Sequence, residues 1–203
     1  MRKIKTLYRI NWDTGVIFDA INPGNEWAVN GEGVATVKMD GTACMWDGEQ
    51  LFKRYDRKLT KAAAKKRRYE DDFVPTISDF KPAPEGFIPC DEQPDLKSGH
   101  WPGWVPIGSN DKWHMEAKTG GLEPGTYELV GPKIGGNPYK FEQGATHRLV
   151  RHGSDVLTDA PTDLAGLGVY LMNKNIEGIV WHHPDGRMAK MRRTDFGHDW
   201  PIP

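Results

Sequence analysis

Val37-Lys38-Met39-Asp40-Gly41-Thr42 reads as the end of one strand, a bend and the start of another. Gly33 to Lys38 before the bend and Thr42 to Trp46 after it are predicted strands, and Gly41 permits a tight turn or a close backbone approach. Side chains two apart on a strand share a face, so Lys38 and Asp40 can point together. A charged group at a strand end is one a sheet can hold rigidly. Three further segments carry similar content: Tyr127-Glu128-Leu129, Glu177-Gly178-Ile179-Val180 and Lys190-Met191-Arg192, the last again with two cations on one face. The cations and carboxylates converge only if the sheets pair correctly.

Outward from these segments the chain alternates strand and turn signals. Asp47-Gly48 predicts a hairpin into Gln50 to Tyr55, which makes the first third a β-meander. Pro75 to Pro106, with Lys81-Pro82-Ala83-Pro84 and Trp101-Pro102-Gly103-Trp104, reads as an ordered but irregular excursion. Gly125 to Gly131, Thr146 to Arg151, Gly178 to His182 and Met188 to Arg193 read as strands, the last two joined at Pro184-Asp185-Gly186. Leu164, Leu167, Tyr170 and Leu171 recur at helical spacing and predict a helix over Thr162 to Asn173. The expected class is α+β with antiparallel sheets flanked by helices, in one domain over 1–203.

Composition narrows the function classes. Lys and Arg number 27 against 28 Asp and Glu in 203 residues, and eight Trp supply bulky material for a core, which excludes a disordered polyelectrolyte. No apolar run reaches the roughly 18 to 20 residues that cross a bilayer. The basic start lacks an apolar stretch after it, so an unprocessed cytoplasmic protein without membrane association is expected. Cys44 and Cys90 are too few for a disulfide framework or a cysteine zinc site. The charge is clustered: between Lys53 and Arg68 stand nine cations and the single acid Asp56, a local +8. That run is either a solvated helix or a phosphate-binding surface. Arg187, Lys190, Arg192 and Arg193 form a second cluster. Gly131-Pro132-Lys133-Ile134-Gly135-Gly136-Asn137 lacks the Gly-Lys-Ser/Thr ending of a phosphate loop, and the adjacent His182 and His183 point to opposite faces of a strand, so no metal is assigned to them.

In order and spacing the four segments resemble motifs I, III, IV and V of the covalent nucleotidyltransferases, the superfamily of ATP-dependent DNA and RNA ligases and mRNA capping enzymes. Tyr127-Glu128 follows Lys38-x-Asp40-Gly41, Glu177-Gly178 comes next, and Lys190-x-Arg192 closes the series. The longer strings Lys53-Arg54-Tyr55-Asp56-Arg57-Lys58, Gly99-His100-Trp101-Pro102-Gly103-Trp104-Val105-Pro106 and Glu177-Gly178-Ile179-Val180-Trp181-His182-His183 look like the small RNA ligase family that joins 5′-phosphate to 3′-hydroxyl ends. The resemblance implies a nucleotidyltransferase fold. With 11 residues after Arg192, a C-terminal OB domain and motif VI are expected to be absent. Arg192 stands where many relatives carry Lys, which keeps the charge and changes its hydrogen-bond geometry.

The same resemblance implies the chemistry. Lys38 would attack the α-phosphorus of ATP to give a lysyl-AMP phosphoramidate, aided by a downward shift of its pKa from Lys190, Arg192 and a bound metal. Those cations would stabilise the charge that gathers in the transition state. Glu177 would hold Mg²⁺ or Mn²⁺, Glu128 would accept from a ribose hydroxyl, and Val37 and Arg54 would line the nucleotide site, with Arg57 competing for the place of Arg54. Asp40 would shape the site. The partner is RNA with 5′-phosphate and 3′-hydroxyl ends, tracked by Arg57, Lys58, Lys65, Lys66, Arg67 and Arg68. AMP transfer to another acceptor and a non-catalytic RNA-binding module are the competing functions.

Overall fold

The computed structural model describes residues 2–11 and 13–202. In chain order its elements are β1 (Lys5–Thr6), β2 (Tyr8–Ile10), β3 (Ile17–Ile21), α1 (Glu26–Val29), β4 (Val34–Lys38), β5 (Thr42–Trp46), β6 (Leu51–Lys58) and α2 (Lys61–Tyr69). Then follow β7 (Ile88–Pro89), β8 (His100–Pro106), α3 (Lys112–Ala117), β9 (Gly125–Val130), β10 (Arg148–Arg151), α4 (Leu164–Asn173), β11 (Gly178–His182) and β12 (Met188–Arg192). Short 3-10 turns occupy Ile77–Asp79 and Arg193–Phe196. The class is α+β. Two compact units form, one built mainly from Thr42–Leu129, the other from Ile4–Gly41, Val130–Thr146 and the chain after Leu149.

The second unit holds a four-stranded sheet in the order β1-β12-β11-β4. β11 runs antiparallel to both neighbours, but β1 lies parallel to β12, pairing Thr6 with Lys190, so the expected purely antiparallel pattern is corrected at this edge. One sheet face is apolar. Ile179, Trp181, Ala189 and Met191 are buried there with Leu7, Trp27 and the inward residues Leu167 and Leu171 of α4. Helix α4 begins where Asp163 accepts a hydrogen bond from the Gly166 N–H at 2.7 Å, two residues later than the spacing predicts. Capping by a short carboxylate outweighs the periodic signal at that end.

The other unit carries a sheet in the order β10-β9-β5-β6-β8-β7, with Arg148 and Leu149 of β10 belonging to it. Strands β5 and β6 form the expected hairpin, closed by Asp47, whose carboxylate accepts from the Glu49 and Gln50 N–H groups. Strand β4 pairs instead with β11 in the other sheet, so the first third is not one meander. The bend at Asp40-Gly41 sends adjacent strands to different partners. The excursion is also shorter than predicted, because its last seven residues are β8, paired with β6 from Phe52–Pro106 to Lys58–His100. Proline density hid this strand, since Pro lacks the donor that a ladder normally uses. Trp101 and Trp104 are buried, as are Trp27 and Trp181, which puts half of the tryptophans in cores; Trp12 lies outside the described residues.

Candidate active site

Strand register decides which charges meet. In the second unit Gly178 is the partner of both Lys38 and Arg192, and Val180 is the partner of both Thr36 and Lys190. Directly paired residues share a face, so Lys38, Lys190 and Arg192 all stand on the side of the sheet opposite the apolar core. Val37 pairs with Ile179 and falls on the other face, so its side chain does not join Lys38; its N–H donates to the Asp155 carbonyl at 2.8 Å. Glu177 precedes β11 and reaches Lys38, with Oε2 2.5 Å from Nζ in a largely buried ion pair. A Cβ on Gly178 would lie 2.2 Å from the Met191 carbonyl oxygen and 2.8 Å from the Arg192 Cα. Only glycine lets β12 come this close.

Three cations in a half-buried patch repel one another, and the effect falls on Lys190. Burial, then the charges of Lys38 and Arg192, push its ammonium down from 10.5 to about 8. Asp195 and Glu177 oppose this depression without overcoming it, and Glu177 is paired directly with Lys38. Arg192 is held by Asp195, which takes hydrogen bonds from its Nη2 at 2.6 Å, its Nε at 3.1 Å and its backbone N–H at 2.8 Å. This pairing raises the Arg192 pKa further and fixes the plane of the guanidinium. Asp195 was not singled out from sequence, although an acid three residues after an arginine at a strand end is the legible signal. Arg193, in contrast, is buried and donates to the carbonyls of Leu171, Lys174 and Asp199, closing the C-terminal end of α4. It is a structural cation, placed where a helix dipole favours one.

Asp40 stands beyond the last residue of β4, so strand alternation does not set its direction. Its backbone N–H donates to the Tyr139 hydroxyl at 2.6 Å, and the Trp200 indole N–H donates to its carboxylate at 2.8 Å. The two rings meet edge to face at 6.0 Å. Tyr139 sits in the loop after β9, which Asn137 braces by accepting from the Phe141 N–H and donating to the Phe141 carbonyl. Neither Tyr139 nor Trp200 carried a sequence signal, being about 100 and 160 residues from their partner.

The remaining predicted residues lie in the other unit. Glu128 is buried on β9 opposite Ala43; burial, and then the charge of Glu128, raise the Cys44 thiol to about 12. Arg54 lies 5.5 Å over the Trp104 ring, and Arg57 lies 4.9 Å over Trp101 while its Nε donates to the Lys81 carbonyl. The basic run is therefore two elements rather than one helix. Lys53, Arg54, Arg57 and Lys58 are on β6, Lys53 paired with Asp111 at 2.5 Å, and Lys61, Lys65, Lys66, Arg67 and Arg68 are on α2.

Among the described residues no group of three or more His, Cys, Asp and Glu could hold a metal ion by itself. His182 instead contacts the Thr36 hydroxyl at 3.0 Å, and His183 pairs with Asp185 at 2.8 Å. A magnesium site built from one carboxylate plus substrate phosphates and waters does not need such a group, and Glu177 fits that smaller demand. No helix among the described residues is long and apolar enough to cross a membrane.

Known proteins are similar to this chain in sequence. A family model described as RNA ligase 1 matches residues 16–120 and 116–203. The RNA ligase 1 of Pongo abelii is 34% identical over 224 residues, covering 84% of this chain and 69% of the relative. The RNA ligase 1 of Rattus norvegicus is 33% identical over 225 residues with the same coverage, and that of Danio rerio is 30% identical over 223 residues, covering 83% and 68%. The match of the family model across nearly the whole chain, together with these identities, makes the chain a member of the RNA ligase 1 family.

Proposed function

We propose that the protein is an ATP-dependent RNA ligase that works through a covalent lysine. The observation that carries the reading is the gathering of Lys38, Glu177, Lys190 and Arg192 on one face of the β4-β11-β12 sheet. Lys38 Nζ attacks the α-phosphorus of ATP, forming a P–N bond as the α–β phosphoanhydride bond breaks and pyrophosphate leaves. Nζ gives up one proton to become a neutral nucleophile and a second once the P–N bond has formed, both to solvent. For this attack the pair with Glu177 must open, and Glu177 is then free to serve as an oxygen ligand. A bound Mg²⁺ or Mn²⁺ would supply Lewis-acid polarisation of the phosphate oxygens.

Lys190 and Arg192 face the charge that builds on the phosphoryl oxygens. Arg192 is pre-oriented by Asp195, so little reorganisation is needed when that charge appears. An oxygen of the RNA 5′-phosphate next attacks the adenylylated phosphorus, releasing Lys38 and joining AMP to the RNA. The 3′-hydroxyl then attacks that 5′-phosphate, AMP leaves, and the strand is sealed. Asp40, tied to Tyr139 and Trp200, keeps the bend after Lys38 in one geometry.

The test is intact mass after incubation with ATP and Mg²⁺, followed by RNA bearing a 5′-phosphate and a 3′-hydroxyl. An AMP adduct on Lys38 that discharges into joined RNA supports the proposal. An adduct that persists would assign the AMP to another acceptor, and the absence of any adduct would remove the covalent mechanism.

A further inference from the structure

The basic run offers cations of two kinds, and their surroundings separate them. In α2 the last turn holds Lys66, Arg67 and Arg68, where positive charge complements the C-terminal end of the helix dipole. The first turn has no acid and begins with Lys61, so the positive end carries a further cation. Lys58, at the end of β6, and Lys81 stand beside it, and among the described residues neither pairs with a carboxylate. Such a choice costs the fold stability without any return inside the protein, and departures of this kind mark functional positions.

These side chains line a cleft of about 210 Å³ together with Ala64, Arg67 and His100. No carboxylate is among the residues that line it, and Asp56, on the same strand as Lys58, is engaged by His100 Nδ1. The cleft is built as well as charged. Gly99 has φ +70°, and the position of its missing Cβ lies 2.4 Å from Arg67 Nη1, so the guanidinium rests on bare backbone. There it donates to the Lys97 carbonyl at 3.3 Å. Other cations of the helix are engaged elsewhere: Lys66 lies 5.8 Å over Phe73, and Arg68 lies 5.6 Å over Tyr69.

From this contrast we infer that the cleft between Lys58, Lys61, Arg67 and Lys81 binds a backbone phosphodiester of the RNA substrate. The inference rests on the RNA ligase reading and gives its substrate an anchoring point. Lys65, Lys66 and Arg68, which the sequence placed on the same footing, are exposed on the helix and do not line the cleft.

The experiment measures binding of a fluorescent 5′-phosphorylated single-stranded RNA by anisotropy at several salt concentrations, alongside self-adenylylation. Three variants are compared: K58Q/K61Q/K81Q, K65Q/K66Q/R68Q with an equal drop in charge, and A64M, which fills the cleft at an exposed helical position without changing charge. The cleft triple variant and A64M are expected to weaken binding at least tenfold. The plot of log affinity against log salt should flatten by about 0.7 for each phosphate that the variant no longer neutralises. The helix triple variant should change affinity by about twofold and melt slightly lower, the cleft triple variant should melt no lower than the unaltered protein, and all three should self-adenylylate like it. Equal weakening by the two triple variants, or unchanged binding by A64M, overturns the cleft while leaving the ligase reading intact. Failure of the unaltered protein to self-adenylylate would instead overturn the reading on which the cleft rests.

Discussion

Lys38 and Lys190 face the same side of one sheet and meet different electrostatic fates. The first has Glu177 within 2.5 Å, while the second is pushed to about 8 by burial and by its cationic neighbours. Lys38→Ala is expected to abolish AMP-adduct formation, read by intact mass; any adduct in that variant assigns the nucleophile elsewhere. Lys190→Met should separate stability from activity. Removing a buried charge that its neighbours disfavour is expected to raise the melting temperature by about 3 °C while self-adenylylation falls at least a hundredfold. A variant that melts lower would show that the ammonium is a net structural asset. Both lysines stood out in the sequence because each heads a motif with characteristic spacing. The depressed pKa of Lys190 did not, because the burial and the neighbouring cations that cause it depend on how β4, β11 and β12 pair.

Elements carry the next level of organisation. Strands β4, β11 and β12 were each legible from their composition, but their mutual register was not, and it is the register that puts Lys38, Gly178 and Arg192 in one row. Gly178→Ala forces a Cβ against the β12 backbone, which cannot move aside as a side chain can. A loss of about 2 kcal/mol in denaturant unfolding is expected, with self-adenylylation falling further than the residual folded fraction explains. Full activity in a stable variant would show that the strands tolerate spreading. At α4 the Asp163 cap is worth about 1 kcal/mol, and Asp163→Ala should lower stability by that amount without altering adduct formation. The Pro/Trp-rich stretch shows the limit of local reading: β8 is held by its seven partners on β6 in spite of its prolines.

For the molecule as a whole, the ionisable groups set a pH profile of stability. His114 and His182 are both pushed below their ordinary value of 6.5, chiefly by burial. The unfolded chain therefore takes up protons near 6.5 that the folded chain refuses, and stability falls as pH drops below that value. Lys190 works the same way in the alkaline window: the unfolded state stays protonated up to 10.5 while the folded state loses its proton near 8, so stability gained from this group rises between those values. Thermal melts should accordingly show an acid step below pH 6.5 that His182→Phe reduces. They should also show an alkaline gain that Lys190→Met removes. An unchanged acid step in the His182 variant would assign it to His114 and the carboxylates.

Local sequence determined a good part of this protein. Strand and turn signals, the cap residue of α4 and the four charged segments are properties of neighbours in the chain, where propensity and periodicity act directly. The family resemblance also rested on strings of a few residues. Tertiary structure alone decided the rest. It sent β4 and β5 to different sheets, divided the basic run between a strand and a helix, and brought Tyr139 and Trp200 onto Asp40 from far along the chain. The physical reason is common to all three. Pairing register, burial and charge proximity are set by groups distant in sequence, and a pKa, an ion pair or a cleft exists only where those groups meet.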